Sequence, residues 1–207
     1  MDPRYRRSRE RFRGAVYQLA TLKPITEVQV QELCEAAGVT KDTFYRHATS
    51  PVDLLADVLA EEFDAITVTY DDLAGSSAPE APIGVATRVL LQHVLDHEAV
   101  YRKCMQPHLI APIRATLEDA ARTALERHFA AHPEVLPPTV EPAPVVLAIY
   151  AGYGAAGIVG ALEAWISAPE HDIATGVAAI LATMPAWWFT KPEPTTHPQQ
   201  DALSEQV

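Results

Sequence analysis

The segment 26–47 constrains the fold more than any other, because two short helical patterns meet there at Gly38 with only Val39 and Thr40 between them. Thr26 is placed to cap the first, with Gln29 three residues on and Ile25 able to pack on Val30 as a hydrophobic staple, so a helix is predicted from Thr26. Its apolar face is Val30, Leu33, Cys34 and Ala37. Gly38 ends it, where the chain needs a positive φ. Thr40 then caps a second helix over 41–47, which displays Lys41, Asp42, Thr43, Tyr45, Arg46 and His47. Phe44 is its one large inward anchor. A helix that buries so little is suited to display, and a DNA major groove admits one helix whose first residues reach base edges. The pattern alone also fits a plain surface hairpin of helices.

The rest of the chain reads as helix, with no convincing strand. Tyr5, Phe12, Val16 and Leu19 form an apolar stripe on a first helix that Lys23-Pro24 ends. Ser50-Pro51-Val52-Asp53 opens a fourth helix with a cap, a proline at its first position and an early acid. Val52, Leu55, Ala56, Leu59, Phe63 and Ile66 line one side of it. Residues 74–82, AGSSAPEAP, form a loop and a boundary. Further helices are expected at 83–97, 99–105, 110–131, 143–166 and 170–188, with a proline-rich irregular stretch at 133–144. The polar residues 190–207 are expected to be a disordered tail. The reading is an all-α chain: a three-helix helix-turn-helix DNA-binding head over 1–50, a connecting helix over 51–73, and a regulatory and dimerisation body over 83–189.

A net charge of −11 argues against a nucleic-acid partner until its distribution is considered. Residues 1–50 carry nine Lys/Arg against six Asp/Glu, and the remainder seven against twenty-one. A basic head on an acidic body lets only the head approach a polyanion. Cys34 and Cys104 give neither a disulfide framework nor zinc spacing, which fits a reducing cytoplasm. The basic N-terminus is followed by no apolar run, so no signal peptide is expected.

Residues 30–59, VQELCEAAGVTKDTFYRHATSPVDLLADVL, resemble the signature of the TetR family of transcriptional regulators. The resemblance lies in Ala37-Gly38-Val39-Thr40, Thr43-Phe44-Tyr45-Arg46-His47 and Leu54-Leu55, and extends over roughly residues 5–66. It implies that Thr40 and Lys41 touch DNA at the start of the recognition helix. It also implies that Thr43 contacts a base or phosphate, that Tyr45 and His47 contact phosphates, and that Arg6 and Arg7 act as a basic arm. Two positions depart from the family pattern: Ala48 replaces the usual Phe, and Pro51 a frequent phosphate-binding Lys. The implied function is a homodimeric regulator, a repressor that binds double-stranded DNA at a palindromic operator and is released by a small-molecule effector. No catalytic role or cofactor is implied. A helical ligand sensor that has lost DNA binding is the alternative, and a small helical enzyme using the histidines a weaker one.

Residues 145–162 carry no charge. A membrane span would fit the length, but no Lys or Arg flanks the segment closely. Gly152-Tyr153-Gly154-Ala155-Ala156-Gly157 matches a dinucleotide-binding fingerprint, yet too little chain follows for the repeated βαβ units. The favoured reading is a helix in a subunit interface, with Gly152, Gly157, Gly160 and Trp165 at the contact; the resemblance implies the same place for the last two helices. His93 and His97 lie one turn apart with Cys104 and His108 nearby, a spacing that could hold a metal. HVLDH lacks the glutamate of the zinc-protease motif, so these histidines are read as hydrogen-bonded residues and no metal is expected. An effector pocket in the body is expected to draw on His93, His97, Tyr101, Arg102, His108, Tyr150 and Tyr153, polar or amphipathic groups within apolar segments.

Overall fold

A computed structural model of the chain describes residues 3–73, 82–133, 136–137, 141 and 143–185. The boundary loop falls almost wholly, and the tail wholly, outside these residues. Helices α1 (Pro3–Leu22), α2 (Val30–Ala37) and α3 (Lys41–Phe44) form the head, and α4 (Pro51–Leu73) leads out of it. The body contains α5 (Pro82–Asp96), α6 (Glu98–Lys103), α7 (Ala111–Ala131), α8 (Pro144–Ser167) and α9 (Ile173–Thr183). The described residues contain no named strand. The all-α expectation and the order of the helices therefore hold.

Several boundaries follow the expected chemistry. Pro51 opens α4, and the Ser50 hydroxyl accepts the Asp53 amide at 3.1 Å. Gly38 closes α2 at φ 63°, and its amide and that of Val39 reach back to Glu35 and Cys34. The start of α2 differs from expectation. Ile25–Glu27 make a single 3₁₀ turn, Val28 is extended, and the helix begins at Val30. With this break Ile25 and Val28 are both buried in the core. The recognition segment is also shorter, with α3 ending at Phe44 and residues 45–47 continuing as hydrogen-bonded turns. In α9, Asp172 caps the helix by accepting the Thr175 amide at 2.9 Å, so it starts later than residue 170.

Helix α4 is buried on more than its predicted stripe. Leu54 and Val58 are fully buried beside Leu55, Ala56, Leu59 and Phe63. The reason is that α4 packs against α1 on the head side and against α5 and α7 on the body side. One apolar cluster runs from Phe12, Val16, Leu33 and Phe44 through α4 to Leu117, Val159 and Leu162. Helix α7 lies along both α4 and α8, and α9 docks on α5.

That last contact depends on a glycine. A Cβ built on Gly176 would lie 2.6 Å from Trp165 Nε1 and 2.7 Å from Leu91 Cδ1. Leu91 and Val177 form a small separate core with Trp165 against it. Gly176→Val is expected to lower stability by about 1–3 kcal/mol through overpacking. Urea unfolding of parent and variant measures it, and equal midpoints would show that Trp165 can move aside without loss.

Candidate nucleic-acid interface

Phe44 is the only large anchor of α3. It is fully buried, edge-on to Phe12 of α1 at 5.7 Å between ring centres. Thr40 accepts the Thr43 amide at 3.3 Å, and the two hydroxyls lie 3.0 Å apart. With the helix fixed from beneath and capped at its start, Thr40, Lys41 and Tyr45 are exposed and Thr43 is half-buried. Arg46 folds back to Asp42 at 2.8 Å. The head thus presents hydroxyls, an ammonium and a phenol along a single turn of helix. Ala48 and Pro51 are both buried.

Arg6 and Arg7 are exposed on the opening turns of α1, hence on a helix. Arg9 and Arg13, further along, are engaged internally. Arg9 reaches Glu61 at 2.7 Å, and Arg13 reaches Glu61 at 2.9 Å and Glu62 at 2.7 Å. Tyr17 donates its hydroxyl to the same Glu62. Burial and that carboxylate hold the Tyr17 phenol well above its ordinary range, so it stays a donor. These contacts bind α1 to α4, and the sequence reading did not anticipate them. Their signal was an acidic pair on one helix and arginines spaced four apart on another.

His47 faces inward. It stacks on Tyr5 at 4.1 Å and meets Phe12 edge-on, and its Nε2 lies 2.7 Å from the Ser8 hydroxyl. Because Ser8 donates to the Tyr5 carbonyl at 2.9 Å, His47 is assigned as the donor through Nε2–H. Its Nδ1 is buried without a hydrogen-bond partner. The structure therefore makes His47 a support for the start of α1.

The effector candidates do not converge on one place. His93 and His97 lie together, their ring centres 4.9 Å apart, and His93 Nε2 is 3.2 Å from the buried Tyr101 hydroxyl. Arg102 is exposed and pairs with Glu98 at 2.6 Å. His108 is exposed beside Glu163, while Tyr150 packs near Phe129 and Tyr153 stands outward on α8. Burial pushes the Cys104 thiol up to about 12, leaving a small apolar residue at neutral pH. Glu163, not among the candidate residues read from the sequence, is 4% exposed; it accepts the Leu109 amide at 2.9 Å and Arg114 at 2.6 Å.

Helix α8 is long and apolar enough to cross a membrane. It packs along one face through Ala151, Ala155, Val159, Leu162 and Ile166. The opposite side carries Val145, Ile149 and Tyr153, each more than 60% exposed, followed by exposed Gly157. A Cβ on Gly152, Gly157 or Gly160 would meet nothing within 4 Å. Trp165 is half-buried, close against Gly176, and its indole N–H donates to the Asp172 carbonyl at 3.2 Å.

The His47 arrangement has a pH consequence. Burial, then the charge of Arg9, hold its pKa below the ordinary imidazole value of about 6.5. A depressed folded-state pKa favours the fold above the unfolded value, and that contribution is lost as pH falls through the folded pKa. Protonation would place an N–H on the buried Nδ1 with no acceptor. Stability is expected to fall below about pH 6.5 less steeply in His47→Gln than in the parent. Thermal melts from pH 7.5 to 5 compare the two, and an imidazole titrating above pH 7 by NMR would contradict the assignment.

No family model matches the chain, and no curated protein matches it. Solved structures do. A protein from Syntrophomonas wolfei, described as a TetR-family transcriptional regulator, shares 16% identity at a TM-score of 0.62, covering 84% of this chain and 91% of that one. RolR in complex with resorcinol shares 18% identity at a TM-score of 0.59, covering 86% and 88%. NalD of Pseudomonas aeruginosa, the secondary repressor of the MexAB-OprM multidrug efflux pump, shares 19% identity at 0.55, covering 86% and 94%. The chain therefore has the fold of the TetR-type transcriptional regulators, an N-terminal helix-turn-helix head on an all-helical body.

Proposed function

We propose that the chain is a TetR-type transcriptional regulator, not an enzyme, acting as a homodimeric repressor that binds a palindromic operator and is released by a small-molecule effector. The observation that carries this reading is α3: a helix too short to serve packing, fixed by Phe44 and Gly38, with Thr40, Lys41, Thr43 and Tyr45 set on or near its outer side. The excess positive charge lies on the same head. Arg6 and Arg7 approach the backbone beside the groove, and His47 serves by holding their helix. Solved structures of the same fold include a named repressor and a resorcinol complex, which support the repressor and effector readings respectively. Two copies related by a two-fold axis would present two α3 helices to half-sites about one DNA turn apart.

Lys41→Ala and Tyr45→Ala are expected to weaken operator binding while leaving the melting temperature unchanged. Fluorescence anisotropy on a palindrome from the gene's own upstream region measures affinity across salt concentrations. Lys41→Ala removes one phosphate-facing charge, so the log–log salt slope becomes shallower by about one. Parent-like affinity in both variants would remove α3 from the interface.

The exposed stripe Val145, Ile149, Tyr153 and Gly157 recurs every four residues, one face of a helix. We assign it, with Gly152 and Gly160 beside it, to the contact with a second copy. Because a side chain at Gly157 meets nothing in its own subunit, Gly157→Leu is expected to fold normally yet elute as a monomer. Light scattering coupled to size exclusion reads this out. A parent chain that is monomeric at micromolar concentration would overturn the assignment.

A further inference from the structure

The head–body junction holds a cluster that the DNA-binding reading does not use. Glu62 of α4 faces His93 of α5 and His97 just beyond its end, and one donor atom from each lies within 4.8 Å of the others. Glu62 Oε2 and His93 Nε2 are 3.6 Å apart. All three residues are half-buried. The sequence shows only two of the donors on one helix; the third arrives from α4 through the fold.

We propose that Glu62, His93 and His97 bind one divalent transition-metal ion of the zinc class. Tetrahedral zinc, with bonds of about 2.0–2.1 Å, holds its donors roughly 3.4 Å apart, so shifts of about an ångström would close this set. Two imidazoles and a carboxylate favour zinc, cobalt or nickel over calcium or magnesium, which take oxygen donors. Three protein donors leave a fourth position for water or for the Tyr101 hydroxyl, which stands 3.2 Å from His93 Nε2.

The outer groups needed to orient the ligands are present. Arg13 donates to Glu62 Oε1 at 2.7 Å, which turns Oε2, shared with Tyr17, toward the histidines. The Tyr17 ring stacks on His97 at 4.3 Å and 17° between planes. An ion here would tie α4 to α5 and bear on α1 through Tyr17. His128 and His132 also lie 4.9 Å apart, but no third donor joins them among the described residues. The proposal stands whether or not the chain binds DNA.

The test uses the full chain, free of purification tags and stripped of metal. Titration with Co²⁺ is followed by visible absorption, then by competition with Zn²⁺. The expected result is one Co²⁺ per chain with the intense d–d bands of a four- or five-coordinate site, displaced by Zn²⁺, and a raised melting temperature. His97→Ala and Glu62→Gln should each weaken uptake by at least about 10-fold, the low end of what loss of an outer-shell partner alone costs. Glu62→Gln keeps an oxygen for Tyr17 to donate to, so it separates loss of a ligand from loss of the fold. His132→Ala should bind as the parent does. A readout independent of substitution is NMR of the Co²⁺-loaded parent, in which the His93 and His97 ring protons should be the ones shifted by the paramagnetic ion. No stoichiometric uptake at micromolar Co²⁺, shifted signals from other histidines, or parent-like affinity in a folded His97→Ala would each overturn the proposal.

Discussion

The carboxylate of Glu62 is the point at which three parts of the chain meet. It is half-buried, and a charge in that position is tolerated only when it is paired and hydrogen-bonded. Arg13 and Tyr17 satisfy it from α1, and His93 faces it from α5. The neighbouring Glu61 binds Arg9 and Arg13 together. The angle between the first helix and the connecting helix is therefore fixed by directional contacts as well as by apolar packing. The same contacts consume two arginines of the basic head. The positive charge available to a polyanion rests more on Arg6, Arg7 and Lys41 than the bare count of the N-terminal residues suggests.

Glu163 plays the corresponding part at the other end of the molecule. It is the first charge after a neutral run of twenty-one residues, 142–162, and it sits on the buried side of α8. By accepting from Arg114 and from the Leu109 amide, it joins α8 to α7 and to the turn before α7. An otherwise featureless apolar helix acquires a definite rotation: the acid and its apolar neighbours face inward, and the Tyr153 side faces out.

How much was legible in the sequence depended on how local the cause was. Gly38, the Thr40 cap, Phe44 and the Ser50-Pro51 start are decided within a turn of chain, and they stand where the pattern placed them. The late start of α2 was hidden, because Thr26 and Gln29 satisfy a capping pattern, while the burial of Ile25 and Val28 that overrides it is tertiary. Leu54 and Val58 were missed for a similar reason: a single-face stripe presumes one packing partner, and α4 has them on several sides. At the candidate sites, the outward residues of α3 were readable from their polarity. The inward turn of His47 was not, since it depends on Ser8 far away in sequence. The effector candidates were chosen as polar groups within apolar segments, a rule that cannot tell residues meeting one another from residues scattered over a surface.

The unbroken apolar cluster through α4 bears on how the molecule can move. Phe12 and Phe44 in the head belong to the same cluster as Leu117 and Val159 in the body. Separating the two parts would expose that shared interior to water, so the head lacks a hinge at which it could swing cheaply. A displacement of α4 at its body end must carry the head with it as a lever carries its tip. Because that interior is continuous, a rearrangement among α5, α7 and α8 that tilted α4 would also change where α3 points.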